Sequence, residues 1–157
     1  MGLFDKIKSI KNAVTGGAAK VYVEASAASL SAPIQVTIRA VPQGCDVKYD
    51  RVYVKLRGVE LVEISNYQFD YYDDGQRKTS RETVRKRTTT VEVEVNAAGA
   101  GELKEGETGE WTVQIELPSH AMPVYRGHYV RHEYELLAAL DTFGNDPDSG
   151  WVDLHIS

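Results

Sequence analysis

The sequence holds a single cysteine, Cys45, so no disulfide can form within the chain and a disulfide-stapled scaffold is excluded. It has no apolar run near the roughly 18 to 20 residues of a membrane span. Asp5, Lys6, Lys8 and Lys11 interrupt the N-terminus where a signal peptide needs a continuous apolar core, and Lys6 stands where a Met-Gly acylation signal requires Ser or Thr. These absences lead us to expect a cytoplasmic protein. Basic residues are not in excess either: 18 Lys and Arg stand against 23 Asp and Glu, for a net charge of −5, so a general nucleic-acid binder is excluded. There is no repeat of fixed period and no low-complexity tract. What remains is 157 residues, 42% of them hydrophobic. A domain of that length buries roughly two thirds of its unfolded surface and needs no structural metal to fold.

Hydrophobic spacing divides the chain in two. Over residues 1–14, Leu3, Phe4, Ile7, Ile10 and Val14 recur every three or four positions and Gly16-Gly17 ends the pattern, which predicts a short amphipathic helix and its join over residues 1–17. A helix this short is marginal alone, so the face made by Leu3, Phe4, Ile7 and Ile10 is expected to rest on the domain, on a second subunit or on a membrane surface. From Ala19 onward the period is two. Val21 and Val23, Ile34 to Ile38, Val52 to Leu56, Val91 to Val95, Trp111 to Leu117, Val130 to Leu140 and Val152 to Ile156 each read as a strand with one dry face. Asp74-Gly75 predicts a tight hairpin between Tyr67 and Arg87, with the return strand over residues 83–95, and residues 97–109 read as a connecting loop. Without a second helix long enough for a crossover, the prediction is an all-β fold. We expect one antiparallel immunoglobulin-like sandwich of seven to nine strands over residues 18–157.

Leu117-Pro118, then Pro123, Tyr125 and Gly127, then Tyr134, Leu136, Ala138, Leu140 and Asp141 together resemble a motif of the arrestin superfamily. In that motif a Leu-Pro pair precedes a turn and a strand of the form Y-x-L-x-A-x-L-D. The Gly16-Gly17 join and the stretch from Tyr49 to Glu60 are most similar to the bacterial sporulation-control branch. Members usually carry two tandem sandwiches, so the resemblance implies an amino-terminal arrestin-like domain. It also implies a non-catalytic adaptor or scaffold that binds partner proteins through loops and sheet edges.

Arg77, Lys78, Arg81, Arg85, Lys86 and Arg87, against Glu82 alone, give the return strand a local charge of +5. Such a cluster steers an acidic or phosphorylated partner, or anionic lipid, within about 8 to 10 Å. The other reading is a solvated strand whose charges oppose Asp70, Asp73 and Asp74 on its neighbour. Tyr67, Phe69, Tyr71 and Tyr72 are expected to lend one face to the core, leaving the other for protein contact.

Chemistry finds little support. His128 and His132 lie about 13 Å apart on a strand, too far to share a zinc, and no thiol or carboxylate at ligand spacing completes a set with His120. Residues 146–150 lack the glycine and closing acid of a calcium loop and read as a turn. Ser119-His120 is no nucleophile elbow, Cys45 has no activating context, and no glycine loop cradles phosphate. We expect no cofactor, no metal and no enzymatic activity. Exposed edges and the helix face leave monomer and homodimer equally open. The alternative function is a peripheral membrane module in which helix and basic hairpin touch anionic lipid.

Overall fold

The computed structural model describes residues 17–26 and 28–156, so the expected N-terminal helix and its contact face lie outside the described residues. Alternation turns into strands as the sequence requires. β1 (Ala19–Ala25), β2 (Ile34–Pro42), β3 (Val47–Tyr49), β4 (Arg51–Asp73) and β5 (Gln76–Ala98) come first. β6 (Gly101–Leu103), β7 (Gly109–Ile115), β8 (Tyr125–Arg126), β9 (Val130–Asp141) and β10 (Val152–Leu154) follow. Ten strands form among the described residues where seven to nine were expected, because segments of two or three residues also pair. One of these, β6, pairs with β3 inside the stretch read as a loop.

All these strand pairs are antiparallel. Besides the two-stranded β3-β6 sheet, β1-β2-β7 make one large sheet, and β10-β9-β4-β5, with β8 against β9, make the other. Their apolar faces meet in one core. Val21, Val23, Ile34, Val36, Ile38 and Ile115 come from the first sheet, and Val52, Val54, Leu56, Tyr134, Leu136 and Leu140 from the second. Leu56 and Ile38 are fully buried, each contributing about 1.5 to 3 kcal/mol relative to exposure.

The feature that positions the candidate site is a mismatch of strand lengths. β4 and β5 each run 23 residues, but β9 pairs with β4 only from Arg51↔Asp141 to Val62↔Val130. From Glu63 to Asp73 the hairpin therefore continues as a two-stranded arm, about 35 Å long at the usual rise of a strand. Its return strand begins at Gln76 rather than near Thr83. Asp74 (φ 48°) and Gly75 (φ 74°) close the tip with the two consecutive positive φ angles of a type I′ turn, whose twist suits a hairpin.

Candidate interaction surface

The arm springs from a polar joint in the apolar core. Gly58 pairs with Val91 and Val59 with Thr89, so Thr90 is the extra residue of a β-bulge. Its Oγ1 lies 2.7 Å from Nε2 of His132, which is buried on the inner face of β9. The other ring nitrogen, Nδ1, is 3.1 Å from the carbonyl oxygen of Pro123. A carbonyl only accepts, so Nδ1 carries the proton and Nε2 accepts from the Thr90 hydroxyl. Gly58 makes this contact feasible: a Cβ there would stand 2.7 Å from Thr90 Oγ1 and 3.0 Å from His132 Nε2. Two further bonds pin the loop between β7 and β9 to the same place. The Tyr134 hydroxyl donates to the Met122 carbonyl at 2.6 Å, and the Tyr125 hydroxyl donates to Glu60 at 2.7 Å.

On the outer face of the sheet an ion triad clamps three strands. Glu135 on β9 accepts from Arg57 of β4 at 2.8 Å and from Arg87 of β5 through both carboxylate oxygens at 2.8 Å. Burial pushes the Glu135 carboxyl up, but the two guanidiniums outweigh it and hold it below the usual carboxylate range. Arg57 also stacks on Trp151, 3.6 Å above the ring.

The six basic residues do not form one free cluster. Arg77 pairs with Asp70, Lys78 with Asp73, Arg85 with Glu63 and Arg87 with Glu135. Arg81 reaches only the Gln68 amide, at 3.3 Å, and neither Arg81 nor Lys86 forms an ion pair among the described residues. Between Glu63 and Arg87 the hairpin has six basic and five acidic side chains, so it is close to neutral and polarised across its width. Arg77 with Asp70 and Lys78 with Asp73 are exposed pairs, screened by water and weak as supports of the fold.

The aromatic residues differ from expectation. Past Ile64↔Val84 a second bulge, with Asn66 at φ 56°, brings Tyr67 opposite Glu82. The return strand keeps its alternation through this point. Tyr67, Phe69 and Tyr71 therefore continue the face that Val52, Val54 and Leu56 present to the core. They stack along it, with ring centroids 6.2 Å apart at each step. No strand of the facing sheet reaches this far, and Tyr67 and Tyr71 remain 47% and 43% exposed. Tyr72 lies on the opposite face beside Arg77.

At the root of the arm an open groove of about 720 Å³ runs between Leu61, Glu63, Arg126, Tyr129, Arg131 and Asp153. Sequence reading overlooked it because its walls come from β4, the β8–β9 turn and β10, which alternation alone does not bring together. It also overlooked the bulge, although a glycine inside a strand pattern signals one. Elsewhere the carboxylates of the 146–150 turn are engaged by protein donors: Asp146 accepts from Tyr53 and from the Thr142 amide, both at 3.0 Å. No group of three metal-ligating side chains occurs among the described residues, and no helix there is long and apolar enough to cross a membrane.

The chain matches no family model and no curated protein. Among solved structures it is similar to the sporulation control protein Spo0M from Bacillus subtilis, with a TM-score of 0.60 and 18% identity. That likeness covers 89% of this chain and 49% of the other, so this chain spans about half the length of Spo0M. At that identity the likeness is one of fold. Together with the all-β antiparallel sheets it is consistent with an arrestin-like sandwich.

Proposed function

We propose that this chain is a non-catalytic, cytoplasmic regulatory protein of the arrestin-like, sporulation-control kind, binding partner proteins through the β4–β5 arm and its open edges. The observation that carries the reading is the arm itself. Among the described residues its β5 edge is unpaired, its β4 edge loses β9 beyond Val62, and its aromatic face has no covering sheet. An isolated two-stranded hairpin is marginal in water, so so long an extension makes physical sense as a recognition element that gains a strand or a face on binding. Arg81 and Lys86 are the charges best placed to meet an acidic or phosphorylated partner, because no carboxylate in the described residues neutralises them. The fold likeness to Spo0M supports a regulatory role.

The near-neutral hairpin weighs against the peripheral membrane alternative, which draws on net positive charge. The test is crosslinking capture from native cytoplasm, comparing wild type with Arg81→Glu/Lys86→Glu, which leaves every ion pair of the arm intact. Loss of a specific crosslinked partner is expected. Unchanged capture removes these charges from the recognition surface, and co-sedimentation with anionic vesicles that vanishes on neutralising Lys6, Lys8 and Lys11 favours the membrane alternative.

A further inference from the structure

We infer that the aromatic face of the arm is a self-association surface, on which two copies of this chain pack face to face about a two-fold axis passing beside Phe69 and Ser80. The inference goes beyond the adaptor reading and does not require it. The register supplies the argument. Residues paired directly across the hairpin project to the same side, so one face carries Tyr67 with Glu82, Phe69 with Ser80 and Tyr71 with Lys78. The β4 row of that face is aromatic, and the β5 row is charged with opposite signs on either side of Ser80.

Turn a second arm about an axis perpendicular to the strands at Ser80, with its tip pointing the other way. Phe69 then meets its own counterpart, Tyr67 meets the second copy's Tyr71, and Lys78 meets the second copy's Glu82, twice over. The pattern is complementary to itself, as an isologous interface requires. The antiparallel arrangement also sends the two sandwich bodies to opposite ends of the paired arms. Two ribbons about 10 Å wide and some 25 Å long bury on the order of 800 Å² in all. That falls below the roughly 1,200 Å² of a stable interface, so the dimer is weak and concentration-dependent.

Charge reversal in the full chain tests the geometry. Lys78→Glu sets carboxylate against carboxylate at both contacts and also gives up the pair with Asp73 of its own arm, whereas Glu82→Lys sets ammonium against ammonium and leaves that pair in place. Each variant alone is expected to weaken dimerisation at least about tenfold in sedimentation equilibrium. An equimolar mixture of the two restores both attractions and dimerises as wild type does. Far-UV circular dichroism and the denaturation midpoint verify that each variant is folded. As a second reading, Ser80→Cys in a Cys45→Ser background is captured as a covalent dimer by a short bismaleimide, and Thr79→Cys on the opposite face is not. Wild type that stays monomeric at several hundred micromolar overturns the inference. So do single variants as dimeric as wild type, a mixture that stays monomeric, or open-ended oligomers from edge-to-edge pairing.

Discussion

The Thr90 hydroxyl reaches Nε2 of His132 across a gap that exists because residue 58 is glycine. This one contact connects the bulge of β5 to the inner face of β9, and through Nδ1 and Pro123 to the loop before it. It lies inside the three-stranded part of the sheet, a few residues before the arm begins at Glu63. The bulge leaves one residue of β5 outside the ladder, and the histidine gives that residue's side chain a partner in a dry core. The register of everything distal to Gly58 follows from where that extra residue is held.

Two substitutions separate space from hydrogen bonding at this joint. Gly58→Ala forces a methyl against Thr90, His132 and Val91, which overpacks the joint and lowers unfolding free energy by about 1 to 3 kcal/mol. Thr90→Val keeps the volume but removes the hydroxyl, leaving Nε2 of His132 without its donor, at about 1 to 3 kcal/mol. Urea denaturation measures both. If the Gly58→Ala/Thr90→Val double variant loses the simple sum of the two, the residues are not coupled as their 2.7 Å approach requires.

The Glu135 triad predicts an acid sensitivity of definite sign. The carboxyl's folded pKa lies below its ordinary value of 4.5, so its stabilisation is fully present above that value and is lost as pH falls through the folded pKa. Glu135→Gln removes the contribution. At pH 7 the variant is expected to be less stable than wild type by about 1 to 3 kcal/mol, short of a fully buried pair because Arg87 remains half exposed. The gap should narrow between pH 5 and pH 3. Asp46, Asp70 and Glu94 are lowered as well, so some acid dependence persists in the variant. A constant gap across that range counts against a lowered Glu135.

Alternation in the sequence was enough to locate the principal strands and the inner face, since Val52, Val54, Leu56, Tyr134, Leu136, Ala138 and Leu140 point where period two sends them, whereas the short pair β3-β6 was missed. The Asp74-Gly75 turn was equally legible, because two consecutive positive φ angles favour that dipeptide. Strand length was not. Nothing local in Tyr67, Phe69 and Tyr71 says that β1, β2 and β7 of the facing sheet stop short of them, or that their own neighbour β9 begins only at Val130, some sixty residues later. The charges were legible in part: Asp70 and Asp73 oppose the basic run as one of the two readings had it, but the partners Glu63 and Glu135 were not foreseen. Arg77, Lys78, Arg85 and Arg87 read as a basic run along the chain, yet each meets an acid across the sheet. Linear charge ignores the neighbouring strand, and the ion triad needs Arg57, Arg87 and Glu135 from three strands at once.

Tyr53 gives an alkaline counterpart. Burial and its hydrogen bond to Asp146 push its phenol up to about 12. A folded pKa raised above the ordinary value of 10 stabilises the fold below pH 10, and that stabilisation is lost as pH rises toward 12. Ultraviolet titration should therefore show a late-ionising tyrosine in the folded protein that Tyr53→Phe removes. Tyr125 and Tyr134 are also raised, so the late phase shrinks without vanishing. If Tyr53→Phe leaves the late phase at full amplitude, the phenol is not held by Asp146.

The arm and the sandwich differ in what supports their backbone, and hydrogen exchange should resolve them. Within residues 52–61, β4 has β5 on one side and β9 on the other, above a packed core. Within residues 67–82 each strand has, among the described residues, only its hairpin partner, and opening that ladder exposes little further apolar area. At low protein concentration, amides of the arm are expected to exchange well before those of the sandwich. Gly75→Ala makes the distinction sharper, because a side chain at φ 74° costs about 1 kcal/mol at the turn. That cost raises the open population of the arm about fivefold while exchange in residues 52–61 and the urea midpoint stay where they were. Equal acceleration in both segments would mean that the arm opens only with the whole domain, and the hairpin would then be an extension of the core rather than a separately folding element.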